Sequence, residues 1–451
     1  MFRDDRGQSI QIGAVLLFGA LVIALAGYQA FVVPQQNERL EFSHSQTVQD
    51  ELQDLRNAFV SATGDASPRS VSVTLGTRYP DRIFAVNPGP PSGSLRTAGT
   101  TDPGVAMRVE NARASGETGD FWDGTDRVYS TGSVVYRPNY NVYGGAPTTV
   151  YEHSALVNDF GSGTVPLAGQ AFVEGKTVTL VALNGSLDTT RPGTASVDVR
   201  PVSASTRTVS VTNTGGSRVT LKLPTRFEKS VWEDLLADQM APDGYVESVD
   251  VISGSPTNTL VVNLRQGENY TLRLAKAGVG TRVTETSEAY LTGVSGNGTR
   301  VPEGGSQQFV VEVRDAYNNP VSGVSVTASP SWASGSSTAT SNEAGRAAFV
   351  FEIPDDAGGL NGQVNVSLGS NPLPTPFDPE AAENVGLAVT VLDTSVSGTG
   401  GGDGTGPDVI SQDVTPDPVE QGETVTLTAT IDDVERGGLD VIEAEWFRVT
   451  S

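Results

Sequence analysis

The pattern of apolar and polar positions changes period once along the chain. From Gly7 to Asn37 there is no charged residue, and Gly13–Val33 is apolar apart from Tyr28 and Gln29. As helix, those residues span about 31 Å, which matches a hydrocarbon core of roughly 30 Å. Pro34 is expected to break or kink the helix at the interface. Beyond it, Val48, Leu52, Leu55 and Phe59 recur at helical spacing, with Asp50, Glu51, Asp54 and Arg56 on the opposite face. This predicts an amphipathic helix over about 45–62 whose stripe must pack on something.

From 68 onward the period is two. The segments 70–75, 177–182, 208–212, 218–223, 259–264 and 270–274 alternate between Gly, Pro, Asn or Ser clusters, as antiparallel strands with one buried face do. One helix is expected at about 227–239, with Val231, Leu235 and Leu236 as its stripe. Residues 83–125 show no clear period and are expected to be loop. Residues 291–395 read as a module of their own, a β-sandwich with strands at 307–313, 321–327, 345–352, 364–368 and 387–392. A Gly-rich linker at 396–406 leads to 407–451, too short for a complete sandwich with its own core. The expectation is a partial immunoglobulin-like unit, either cut short or pairing its edges with a partner. The fold class is therefore mainly β, with one long N-terminal membrane-spanning helix and an antiparallel ectodomain ahead of the sandwich.

Composition narrows the function. The chain has 451 residues, 53 acidic and 29 basic ones, and a net charge of -24. The basic residues are 25 Arg and four Lys. Residues 1–40 sum to zero, so the acidity lies in 41–451. High negative charge with few Lys suits concentrated salt, where the Debye length falls to about 3 Å. It argues against nucleic acid as a partner. With no Cys and only His44 and His153, disulfides, Cys-based zinc sites and cysteine nucleophiles are excluded.

The segment Arg6-Gly7-Gln8-Ser9-Ile10-Gln11-Ile12-Gly13, followed at once by the apolar helix, resembles the start of archaeal type IV pilins and archaellins. The resemblance implies a leader of residues 1–7, cut by a prepilin peptidase between Gly7 and Gln8. The helix then stays on the mature chain (8–62 with its amphipathic extension). Bacterial pilins carry Glu at the fifth mature position, where this chain has Ile12. A cleaved signal peptide ending at Ala24-Leu25-Ala26 is the rival reading. The longer stretch Phe42–Tyr290, through runs such as 75–80, 136–140 and 198–202, resembles ectodomains of haloarchaeal pilin-like membrane proteins; its β-rich part is expected at 65–290. The stretch 313–326, with 345–349 downstream, resembles the immunoglobulin-like modules of invasin-type surface proteins, which mostly act as spacers.

Candidate chemistry is sparse. No nucleophile elbow or phosphate-binding glycine loop is present, and no motif calls for a cofactor. Asp120, Asp123 and Asp126 lack the spacing of a calcium loop. Tyr129, Tyr136, Tyr140, Tyr143 and Tyr151 could form an aromatic binding surface or simply pack their rings. Asn184, Asn269, Asn297 and Asn365 head Asn-x-Ser/Thr sequons, candidates for glycosylation. The leading expectation is a non-enzymatic, single-pass membrane protein with its C-terminal part outside the cell, a surface tether or minor pilus component. Its partners would be the lipid membrane, a prepilin peptidase and other pilin-like subunits. The alternatives are an adhesin reading a surface or glycan through 65–290 and, remotely, a secreted hydrolase.

Overall fold

The computed structural model describes residues 6–369, 373–393, 408–415, 425–433 and 438–446. Residues 1–5 of the expected leader and the expected linker at 396–406 lie outside the described residues.

Helix α1 (Arg6–Gly27) passes through a π-helical turn, Tyr28–Val32, into α2 (Val33–Ser61). Pro34 does not break it. The flanking residues Gly27, Val32 and Val33 all keep right-handed helical dihedrals, and the Val33 N–H reaches back five residues to the Tyr28 carbonyl. Proline lacks an N–H and its ring crowds the carbonyl four residues earlier; one widened turn absorbs both defects within a continuous helix. The result is a single helical rod of about 80 Å. The extension expected at 45–62 is the far end of the N-terminal helix itself.

Three sheets form the β-rich region behind it. A six-stranded sheet runs in the order Asp188–Arg191, Ser92–Ala98, Ser133–Asn139, Thr148–Glu152, Ala155–Asp159, Thr164–Ala168. A five-stranded sheet orders Val246–Ile252, Asn258–Leu264, Thr220–Thr225, Ala106–Glu110 and Arg127–Ser130. A seven-stranded sheet has Arg69–Thr74, Thr194–Ser203, Tyr270–Val279 and Thr177–Asn184 along its path. Pairing is mainly antiparallel, but Thr177–Asn184 runs parallel to Tyr270–Val279, as does Thr299–Pro302 to Asn384–Leu392.

The expectation of a loop over 83–125 is corrected: this stretch holds the strands Ser92–Ala98 and Ala106–Glu110, a two-residue strand and a helical turn, Thr118–Phe121. The alternation fails in Ser92–Ala98 because the residues it buries are Gly93 and Leu95. A Cβ at Gly93 would lie 2.5 Å from the Leu75 carbonyl oxygen and 2.7 Å from the Tyr136 ring, so only glycine lets these strands close. The helix expected at 227–239 is shorter, Lys229–Leu235 followed by a 3-10 turn, and its buried face is Val231, Trp232 and Leu236.

The sandwich consists of a three-stranded sheet (Glu288–Ser295, Ser306–Asp315, Arg346–Glu352) and a five-stranded one (Thr299–Pro302, Asn384–Leu392, Asn361–Leu368, Ser325–Pro330, Ser337–Thr340). Phe309, Val311 and Val313 from the first and Val326, Val364, Val366, Val385 and Leu387 from the second share one core. The turn 314–320 joins the sandwich to the preceding sheets. Asp315 accepts the Tyr317 and Asn319 amides at 2.9 and 3.0 Å, and Asn319 donates to Ser203 and the Leu274 carbonyl. The Tyr317 ring enters the neighbouring core and meets Tyr129. Glu312, nearly inaccessible, takes both guanidinium arms of Arg207 at 3.0 Å and a further contact from Arg314. A turn signal in the sequence is thus a fitted joint between two cores.

A second compact unit, Thr394–Ser451, contains an antiparallel meander of Asp408–Thr415, Val425–Asp433 and Gly438–Trp446.

Candidate functional site at the seam between helix and sheets

The face of α2 decides what the first 61 residues are attached to. Val48, Leu52, Leu55, Ala58 and Phe59 share a core with Val73 and Leu75, with Tyr136, Tyr151 and Leu156, and with Val197, Val199, Ala277 and Val279. The apolar stripe legible in the sequence therefore packs on two of the sheets. Burial of such side chains contributes about 1.5–3 kcal/mol each.

Polar residues one or two turns earlier pin the same helix. Glu41 is fully buried. Its carboxylate accepts the Asn141 amide at 2.9 Å, the Val142 amide at 2.9 Å, the Tyr143 amide at 2.6 Å and the Tyr79 hydroxyl. Three successive N–H groups converging on one anion make a backbone nest, which holds negative charge without a cation. Burial works against ionisation of Glu41, but the bonds from Tyr79 and the three amides outweigh it and hold the carboxyl below its ordinary value. Burial and the Glu41 contact together push Tyr79 up to about 12. Further along, Glu51 accepts the Thr74 amide at 2.6 Å and its hydroxyl at 2.8 Å. Arg56 donates to the carbonyls of Ser154 at 2.7 Å and Gly169 at 3.0 Å. Asn37 and Gln36 accept from Arg82.

Both histidines are engaged locally. His44 bonds Tyr140 through Nδ1 at 2.6 Å. His153 lies in the tight turn between Thr148–Glu152 and Ala155–Asp159, where His153 and Ser154 both have positive φ, 45° and 68°. Its Nε2 is 2.7 Å from the Pro224 carbonyl oxygen. Burial pushes His153 down to about 4, so the ring is neutral and donates that bond. Next to it, burial pushes Glu152 up to about 7, opposed by bonds from the Arg226 amide and the Thr225 hydroxyl.

The five tyrosines do not form a surface. Tyr129, Tyr136 and Tyr151 are buried, while Tyr140 and Tyr143 lie in the seam beside His44 and Phe42. Asp123 caps its own turn through Thr125 and pairs with Arg127 at 3.1 Å. Among the described residues no His, Asp and Glu group is arranged to hold a metal. Gly7 and Gln8 lie in the first turn of α1. Asn269 and Asn297 are exposed, and Asn297 accepts the Ala388 amide. Asn184 ends a strand and accepts from Thr284, whereas Asn365 sits mid-strand between two partners. Sequence reasoning missed Glu41, because its donors lie 38 and 100 or more residues away. The one available signal was a carboxylate interrupting an otherwise uncharged side of a helix.

No family model matches the chain. It is 26% identical over 330 residues to an uncharacterized protein of Archaeoglobus fulgidus, across 71% of this chain and 53% of that protein. The chain thus spans about half the length of the relative it matches. Among solved structures it is similar to a protein of Corynebacterium diphtheriae assigned as membrane anchored (9% identity, 81% of this chain and 60% of that one, TM-score 0.19). It is similar also to domains 4–9 of surface layer protein SbsC (13%, 52% and 36%, TM-score 0.17). The FN1–FN3 domains of chicken CNTN1 are a third case (10%, 55% and 83%, TM-score 0.18). Scores this low carry no argument about function. The class rests on the chain's own sheets: a mainly β protein with a β-sandwich and one N-terminal helix long and apolar enough to cross a membrane.

Proposed function

We propose that this chain is a non-enzymatic, membrane-anchored surface protein of type IV pilin-like kind, serving as a surface tether or minor pilus component rather than as the bulk subunit of a filament. The observation that carries the reading is the division of one continuous helix. Between Gln11 and Gly27 no residue is buried, while α2 is built into the core of the sheets. An apolar helix left bare in this way requires a nonaqueous surrounding, and a bilayer supplies it. The Arg6-Gly7-Gln8 sequence supports processing by a prepilin peptidase, and the acidic region after residue 40 would face a salty exterior. Small residues four apart, Ala20 with Ala24 and Ala26 with Ala30, offer faces on which other pilin-like helices can pack.

The test is the N-terminus and location of the native protein. Mass spectrometry is expected to find a start at Gln8, with the chain in the membrane pellet after the cells are sheared. A start at Gly27 would remove the anchor. Sheared filaments composed mainly of this chain would replace the tether by a filament subunit.

A further inference from the structure

A second apolar element accompanies the helix at the outer end of its bare stretch. In the irregular segment following Tyr79, Ile83, Phe84 and Val86 are 90, 78 and 77% exposed. These are among the most exposed large apolar side chains of the β-rich region, and they are neighbours in a segment that is held, not loose. The Gln29 side chain grips the Val86 backbone at both ends, donating to its carbonyl at 2.8 Å and accepting its amide at 2.9 Å. Arg82 turns away from the apolar tip, donating to Gln36 at 2.5 Å, Asn37 at 2.9 Å, Tyr28 at 3.3 Å and Asn87 at 2.9 Å. Asn87 donates to the Pro80 carbonyl at 2.7 Å and closes the neck. Leu25 and Tyr28 line one concavity with Pro80–Ala85.

We infer that the loop 81–87 is a membrane-seated wedge, its apolar tip lying in the headgroup and acyl-chain boundary beside the helix. The inference rests on the proposed membrane span. Gln29 lies within the apolar stretch, about 6 Å short of its end at Val33. A side-chain amide at that depth needs partners other than water, and irregular backbone there needs its own groups paired. The Gln29–Val86 pair supplies partners for the Gln29 amide and for both backbone groups of Val86. The apolar tip with a cation directed back toward the polar side is the arrangement by which Arg and aromatic residues settle at an interface. The occupant is lipid, because the tip shares its concavity with Leu25 of the bare helix, whose apolar stretch is the proposed membrane span.

Because the chain has no cysteine, single-cysteine variants can be spin-labelled cleanly. Full-length Leu17→Cys, Phe84→Cys and Ser337→Cys would be placed in vesicles of phosphatidylcholine and phosphatidylglycerol. Collisional access to oxygen and to a water-soluble nickel chelate would then be compared. The expected oxygen-to-nickel ratio at Phe84 is severalfold above that at the exposed strand site Ser337, toward the value at Leu17. A Phe84 ratio equal to that at Ser337, with Leu17 in lipid, overturns the wedge and leaves the span intact. Aqueous values at both Leu17 and Phe84 overturn the span and the wedge together. Poor access of both reagents at Phe84, with spin–spin broadening that vanishes on dilution by unlabelled chain, places a second copy on the patch and also overturns the inference.

Discussion

Along the helix Arg6–Ser61, the residues from 11 to 27 bury nothing, whereas α2 buries ten residues, four of them polar or charged: Asn37, Glu41, His44 and Ser45. Backbone geometry is the same in both halves, and the π turn at Tyr28–Val32 passes between them without ending the helix. What differs is the source of partners. In the bare half almost no side chain needs a hydrogen bond, so an apolar surrounding costs it nothing. In the covered half polar side chains are buried, and such groups are tolerated only when donors and acceptors are already in place. The comparison shows a helix graded from a bare half to a covered one, with Tyr28 and Gln29, met by Arg82 and Val86, at the crossover.

Glu41 offers the sharpest way to break that grading. Glu41→Ala leaves three amides and a phenol facing a void. At about 1–3 kcal/mol for each unsatisfied buried group, a loss on the order of 4 kcal/mol is expected in the unfolding of the β-rich region. Denaturant melts at neutral pH would measure it, and a change below 1 kcal/mol would show that water replaces the carboxylate freely. The sign with pH follows from the depressed carboxyl. The folded state binds fewer protons than the unfolded one, so the contribution is complete above the ordinary value of 4.5 and is lost as pH falls through the folded value. Glu41→Gln is expected to flatten that acid limb.

Leu52→Ala against Leu17→Ala tests the two halves with the same substitution. The buried leucine should cost about 3 kcal/mol and the bare one almost nothing in the same melt. Equal effects would mean that α1 is covered by protein after all.

The hairpin gripped by Arg56 gives a third and smaller effect. Glu152 is raised to about 7, so its contribution is present below 4.5 and declines as pH rises through 7. His153 is lowered to about 4, so its contribution is present above 6.5 and is lost as pH falls through 4. Between 4.5 and 6.5 the two slopes oppose each other. His153→Asn, which keeps a residue tolerant of positive φ, should uncover the Glu152 slope, and stability should then fall between pH 4.5 and 7. A pH-independent variant would refute the buried, protonated Glu152. Arg56→Met should have the smallest effect, about 1 kcal/mol, because its bonds go to two carbonyls near the surface.

Much of this was legible in the residues. The apolar run, the stripe Val48–Leu52–Leu55–Phe59 and most strands follow from period alone, since each reflects a local choice between helix, strand and turn. What stayed hidden depends on distant partners. Glu41 became a binding group only when the chain brought 79 and 141–143 around it. The segment 314–320 reads only as a turn between two strands, because its fit to Ser203, Leu274 and Tyr129 depends on residues far along the chain. Ser92–Ala98 escaped because glycine filled a core position. Pro34 does not break the helix because a continuous helix can absorb a proline by widening one turn.

The seam also has a mechanical meaning. Suppose a load pulls the β-rich region along the axis of the helix. The helix is gripped from the side at Glu41, Glu51 and Arg56 and along the stripe between them, at positions spread over about 22 Å of its length. Tension along the axis would stress these bonds together, in shear, rather than peeling them one after another. The joint between the β-rich region and the helix would then yield only when many contacts fail at once.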